Sequence, residues 1–121
     1  MADDSLRILH HTACSTSRHA VDAARAAGAE PEVVQYLKTP LTRPEILDLL
    51  RILQDAPADL VRKDKYFKEQ GLDPDAHTTP EQVADVLVQH PRLMERPVLI
   101  RGDRAIIGRP KDRAERFLRE T

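Results

Sequence analysis

Residues 6–36 constrain the fold of this chain most strongly, because they hold a strand, a helix and a second strand with almost no chain to spare between them. The alternation around Leu6 and Ile8 predicts a short strand ending near Leu9 or His10. From Ser17 onward, Ala20, Val21, Ala24 and Ala27 recur at helical spacing, and Gly28 supplies a C-terminal stop. "EVVQYL" is apolar and β-branched and predicts a second strand. Strand, helix and strand in such close succession form a βαβ unit whose two strands run parallel.

The rest of the chain reads as helices followed by a hairpin and a last helix. Thr42 and Glu45 have capping-box spacing ahead of Ile46, Leu49, Leu50 and Leu53 on one helical face. Thr79 with Gln82 repeats the pattern, with Pro80 in the first turn and Val83, Val86 and Leu87 sharing a face. The polar stretch between them predicts short helical pieces and loops. "RPVLIRGDRAIIGRP" predicts a hairpin turning at Gly102-Asp103, and "PKDRAERFLRE" an amphipathic closing helix. The expected architecture is therefore α/β: a thioredoxin/glutaredoxin-like βαβ…ββα mixed sheet with a helical insertion over about residues 42–90, all in one domain spanning 1–121. Pro97, which opens the hairpin, is expected to face the loop that holds the cysteine.

Composition narrows the function. Charged groups nearly cancel, 19 basic against 20 acidic, which predicts neither a nucleic-acid nor a membrane partner. No stretch approaches the ~20 apolar residues of a membrane span, and the start "MADDSLRILHH" lacks the pattern of a signal peptide. The single cysteine forms no internal disulfide, so a cytoplasmic setting is expected.

That cysteine, Cys14, is the candidate for chemistry. It is predicted to lie just ahead of a helix N-terminus, where free N–H groups and the helix dipole favour an anion and lower a thiol pKa. Arg18 adds a nearby positive charge, and Ser15, Thr16 and Ser17 add hydroxyls. The alternative is an inert buried thiol with helix-capping neighbours. His10 and His11 are adjacent and point in opposite directions along a strand, so they do not share a metal. His19, His77 and His90 have no metal-ligand spacing, and no metal is expected. A phosphatase-type C-x5-R loop is excluded because Ala20 holds the arginine position.

"HHTACSTSR", "LVRKDK", "QHPRLMERPVLI" and "IIGRP" resemble, in order and register, the motifs of the glutaredoxin-fold arsenate reductase family, as does "YLKTPLTRPEI" between the first two. The resemblance runs from about Leu6 to about Leu118. It implies that Cys14 is the nucleophile and that His10 helps to ionise it. It further implies that Arg62, Arg96 and Arg109 bind arsenate, together with Ser17 near the cysteine loop, and that Pro97 is the cis-proline of the fold. The pattern departs at His11 and Thr12, where many members carry Asn-Pro, and at Ser15, where many carry glycine.

The implied activity is reduction of arsenate to arsenite through a Cys14 thiol–arsenate adduct. Glutathione, as co-substrate, and a glutaredoxin resolve the adduct, and no cofactor is bound. Two rival expectations share the scaffold: a thiol oxidoreductase acting on another substrate, and a non-enzymatic regulator that binds bacterial RNA polymerase. Regulators of that kind typically carry a C-x-x-C switch, whereas position 17 here is serine.

Overall fold

A computed structural model describes residues 5–120 and arranges four strands in the order β2-β1-β3-β4. The first half is β1 (Leu6–His10), α1 (Ser15–Ala26) and β2 (Glu32–Gln35), with β1 and β2 parallel from Arg7 opposite Glu32 to His10 opposite Gln35. β3 (Val98–Arg101) lies antiparallel to β1, and β4 (Arg104–Ile107) antiparallel to β3, before the closing helix α5 (Lys111–Arg119). Gly102, at φ +61, opens the two-residue turn between β3 and β4, where a left-handed backbone is required. The mixed βαβ…ββα sheet is that of the thioredoxin-like fold.

The pleat sorts the core into two layers. Leu6 and Ile8 of β1 point to one face, where they pack with Ala20, Val21 and Ala24 of α1 and with Ala114, Phe117 and Leu118 of α5. Leu9 points to the other face, where Ile46, Leu49, Val83, Leu87 and Leu93 of the insertion cover it. A sheet with both faces covered must be apolar on both, which the strands "LRILH" and "VLIR" largely are.

The insertion contains α2 (Arg43–Ile52), α3 (Lys65–Glu69) and α4 (Pro80–Gln89), joined by 3₁₀ turns at Pro57–Leu60, Pro74–Ala76 and Pro91–Leu93. Both capping boxes are formed. Thr42 Oγ1 accepts from Glu45 N at 3.3 Å and Thr79 Oγ1 from Gln82 N at 3.2 Å, while each N3 side chain returns the bond. α1 ends in a glycine stop at Gly28 (φ +85), with Gly28 N bonded to Arg25 O and Ala29 N to Ala24 O.

Two boundaries differ from the sequence reading. The second strand stops at Gln35 rather than Leu37, because the N–H groups of Lys38 and Thr39 both close onto the Gln35 carbonyl and turn the chain away, leaving Tyr36 outside the sheet. The first helix starts at Ser15, so Cys14 is itself the N-cap residue.

Two tethers bring the insertion back to the sheet. Val61 pairs antiparallel with Met94, with Arg62 N bonded to Leu93 O at 2.7 Å and Glu95 N to Leu60 O at 2.8 Å. Asp55 accepts from Ile107 N at 3.0 Å and pairs with Arg113 of α5 at 2.5 Å, which fixes the end of β4. Both tethers end where the candidate functional arginines begin.

Candidate active site

Cys14 ends the short connection from β1 and caps α1 in an extended conformation, φ −98 and ψ 119. Its N–H donates to the His11 carbonyl and its carbonyl accepts from Arg18 N, both at 3.0 Å, so the backbone on each side of the sulfur is fixed. Arg18 is used structurally as well: its guanidinium donates to the Thr12 carbonyl at 2.8 Å. The thiol is partly exposed. Partial burial pushes its pKa up, but the N–H groups of Ser17 and Thr16 and the side chains of Arg96 and Arg109 outweigh that and pull it below the ordinary thiol value.

The structure brings Arg109 to the sulfur, and Arg96 close enough to help lower the thiol pKa. Arg109 follows β4, and its Nη1 lies 3.7 Å from Cys14 Sγ while donating to the Arg96 carbonyl at 3.2 Å. Arg96 precedes Pro97 in a cis peptide, and its guanidinium also donates to the Arg92 carbonyl at 3.3 Å. A second cis peptide joins Arg109 to Pro110, so each of these arginines leads directly into a cis-proline. Arg62 sits one contact further out. Its Nη1 bonds Glu95 Oε1 at 2.7 Å, and that carboxylate oxygen lies 4.0 Å from Arg109 Nε. The Nε atoms of both Arg62 and Arg96 are buried with no hydrogen-bond partner, although Arg62 Nε has Asp64 Oδ2 at 3.7 Å. Buried guanidinium donors without acceptors are costly unless something else fills them.

His10 acts on this loop through Ser17. The fully buried Ser17 Oγ lies 2.5 Å from His10 Nδ1 and accepts from His11 N at 3.1 Å, locking the strand end to the first turn of α1. Burial, followed by the charges of His11 and Arg18, holds the His10 pKa below its ordinary value, so the ring stays neutral near pH 7. His11, also pushed down by burial and then by Arg96 and Arg62, lies on the arginine side.

Two residues of the site carried no sequence signal. Tyr36 is buried, and its hydroxyl donates to the Met94 carbonyl at 3.2 Å. Burial raises its pKa, against the pull of Arg96 and Arg62. Glu95 joins two of the arginines. A tyrosine in a chain with two tyrosines and two phenylalanines was the only available hint. A cavity of about 630 Å³, lined by Arg7, Leu9, Val34 and Leu49 among others, opens between the sheet and α2 and shares no residue with the Cys14 site. Among the described residues no group of three His, Cys, Asp or Glu is placed to hold a metal, and no helix is long and apolar enough to cross a membrane.

A lone cysteine on a helix N-terminus, a neighbouring cis-proline and a guanidinium at the sulfur, all on a βαβ…ββα sheet, define a thioredoxin-like thiol protein. More specifically, the chain belongs to the ArsC family, whose sequence profile matches residues 9–117. The Escherichia coli K12 protein YfgD, described as uncharacterized, is 38% identical over 109 residues, covering 88% of this chain and 91% of its own. An arsenate reductase of Neisseria meningitidis serogroup B is 35% identical over 115 residues, covering 93% and 97%. The solved structure of an arsenate reductase from Vibrio cholerae superposes with a TM-score of 0.81 at 28% identity, covering 94% of this chain and 97% of that one.

Proposed function

We propose that the protein reduces arsenate to arsenite, with Cys14 as the nucleophile and Arg96, Arg109 and Arg62 as the oxyanion-binding groups. The observation that carries this reading is Arg109 Nη1 at 3.7 Å from a partly exposed Cys14 sulfur, whose pKa Arg96 and Arg109 help to hold down. Guanidinium forks match a tetrahedral oxyanion, and the Nε of Arg96, which has no hydrogen-bond partner, supplies a further acceptor-seeking position. His10 and Ser17 are positioning residues that hold the cysteine loop on the helix N-terminus.

The chemistry follows from the charges. Cys14 thiolate attacks arsenic, an S–As bond forms and a protonated oxygen leaves as water, with the arginines offsetting the oxyanion charge. Glutathione then adds at the same arsenic through its sulfur, and its thiol proton leaves with an As–OH group as a second water. A glutaredoxin thiolate attacks the glutathione sulfur. The glutathione S–As bond breaks with its electron pair left on arsenic, which passes from As(V) to As(III) as a glutaredoxin–glutathione disulfide forms. Hydrolysis of the remaining Cys14 S–As bond frees arsenite and the thiol. The sequence contains one cysteine, so an outside thiol must take the resolving role.

The test is arsenate-dependent glutathione oxidation in the presence of a glutaredoxin. Cys14→Ser should abolish it. Arg96→Lys, which keeps the charge but loses the fork, should lower arsenate kcat/KM strongly while leaving reduction of a glutathione mixed disulfide much less affected. Equal losses on both substrates, or turnover that survives Cys14→Ser, would overturn the assignment.

A further inference from the structure

We propose that Glu95 is the specificity-determining residue of the oxyanion site, favouring oxyanions that carry a proton, such as arsenate and phosphate, over fully deprotonated ones such as sulfate. This rests on the oxyanion-binding reading given above and goes beyond it by naming what the site rejects.

The placement of Glu95 is built into the fold. The short Val61–Met94 pairing, with its 2.7 Å and 2.8 Å backbone bonds, sets Arg62 and Glu95 side by side. The Glu95 carboxylate then bonds Arg62 Nη1 at 2.7 Å and stands 4.0 Å from Arg109 Nε. Arg109 in turn reaches the Cys14 sulfur through Nη1 at 3.7 Å. One guanidinium therefore separates the carboxylate from the nucleophile, and an anion held by Arg109 and Arg62 beside the sulfur must meet Glu95.

A purely structural ion pair would look different. The bond to Glu95 leaves Arg62 Nε buried without a hydrogen bond, with only the Asp64 carboxylate at 3.7 Å beside it, and 4.0 Å is too long for a hydrogen bond from Arg109 to Glu95. The carboxylate thus leaves donor capacity on both arginines for an incoming anion.

What a carboxylate does in that position depends on the anion's protons. It is an acceptor only, so it welcomes an As–OH or P–OH group and repels a bare oxyanion edge. At pH 7 phosphate and arsenate carry at least one proton and sulfate carries none. The same negative charge weakens the attraction of the arginines for every anion, and the hydrogen bond restores binding only for the protonated ones.

Binding of inorganic phosphate and of sulfate, each measured by calorimetry at pH 7 and by protection of Cys14 from alkylation, tests this without requiring turnover. The parent protein should prefer phosphate. Glu95→Gln, close in shape and unable to repel, should tighten sulfate by about tenfold and collapse the preference, while Glu95→Asp, which keeps the charge, should retain it. Glu95→Gln should also lower the Cys14 pKa, because the arginines facing the sulfur lose a competing negative charge. Loss of a merely structural contact would weaken both anions together. An unchanged phosphate-to-sulfate ratio in Glu95→Gln, or weakening of both anions, overturns the role of Glu95 even if arsenate is turned over. A collapsed ratio in a protein that does not reduce arsenate supports it and overturns the substrate assignment alone. Failure of the parent protein to bind either anion overturns both.

Discussion

Replacing Gly108 with alanine should damage the site from behind. A Cβ at position 108 would stand 2.7 Å from Leu99 Cδ1, 3.0 Å from Pro97 Cγ and 3.4 Å from Ala114 Cβ. Ordinary carbon contacts lie at about 3.5–4.0 Å, so the first overlap is roughly 1 Å. Relief is hard to find: Leu99 and Ala114 are fully buried, and Pro97 is bonded through its carbonyl to Gly108 N at 2.8 Å. The strain is steric alone, since Gly108 is not among the glycines with positive φ. Overpacking of this kind costs about 1–3 kcal/mol, which at roughly 3–6 °C per kcal/mol for a chain of this size is readily seen in a thermal melt. The shift must pass into Arg96–Pro97 or Arg109, the segments adjoining the contact, and a displacement of about 1 Å at a reacting centre lowers kcat/KM by about ten- to a hundredfold. Gly28→Ala is the control. It meets nothing within 4 Å but must adopt φ +85, so it should cost about 1 kcal/mol of stability and leave turnover per folded molecule unchanged. Gly108→Ala with a parental melting temperature, or with lost stability but parental kcat/KM, would refute the coupling of this packing to the arginines.

Further outcomes follow from the ionisable groups. Thiolate absorbance of Cys14 followed against pH should give an apparent pKa below the ordinary thiol value, and Arg109→Ala should raise it; a parental value in that variant would remove Arg109 from the thiolate's support. His10 has a folded pKa below its unfolded one, so the unfolded chain binds the proton first and stability should fall as pH drops below about 6.5. The acid loss of melting temperature should be smaller in His10→Gln, and an identical acid slope in that variant would refute the assignment.

The parts of the fold legible in the sequence are those set by near neighbours. Ser/Thr caps three residues from Glu or Gln, the glycine after Ala27 and the Gly102-Asp103 turn all act within one turn of chain, and each formed as its chemistry requires. The cysteine loop was legible for the same reason, apart from Cys14 taking the cap position itself. The Arg62–Glu95 pair was not, because it depends on the Val61–Met94 bridge, which joins positions 33 residues apart in the pairing of Arg62 with Glu95. Tyr36 was read into β2 because its residue type suits a strand. The turn closing on Gln35 carries it instead to the Met94 carbonyl, an outcome no periodicity encodes.

The partial exposure of Cys14 is then best understood as a compromise between ionising the thiol and admitting a second one. Deeper burial would strengthen each guanidinium contact by lowering the local dielectric, yet burial is already the largest influence on this thiol and it opposes ionisation. A protein that carried its own resolving cysteine could close the site after the first adduct formed. This chain holds one cysteine, so in the proposed mechanism the arsenic bound to it must stay open to attack by a free thiol. The site answers both demands by drawing charge support from the α1 N–H groups, Arg96 and Arg109 while the thiol stays partly exposed. Enclosing the sulfur with a bulky residue at position 12 or 15 should therefore slow the glutathione step more than adduct formation, separating the two in single-turnover measurements.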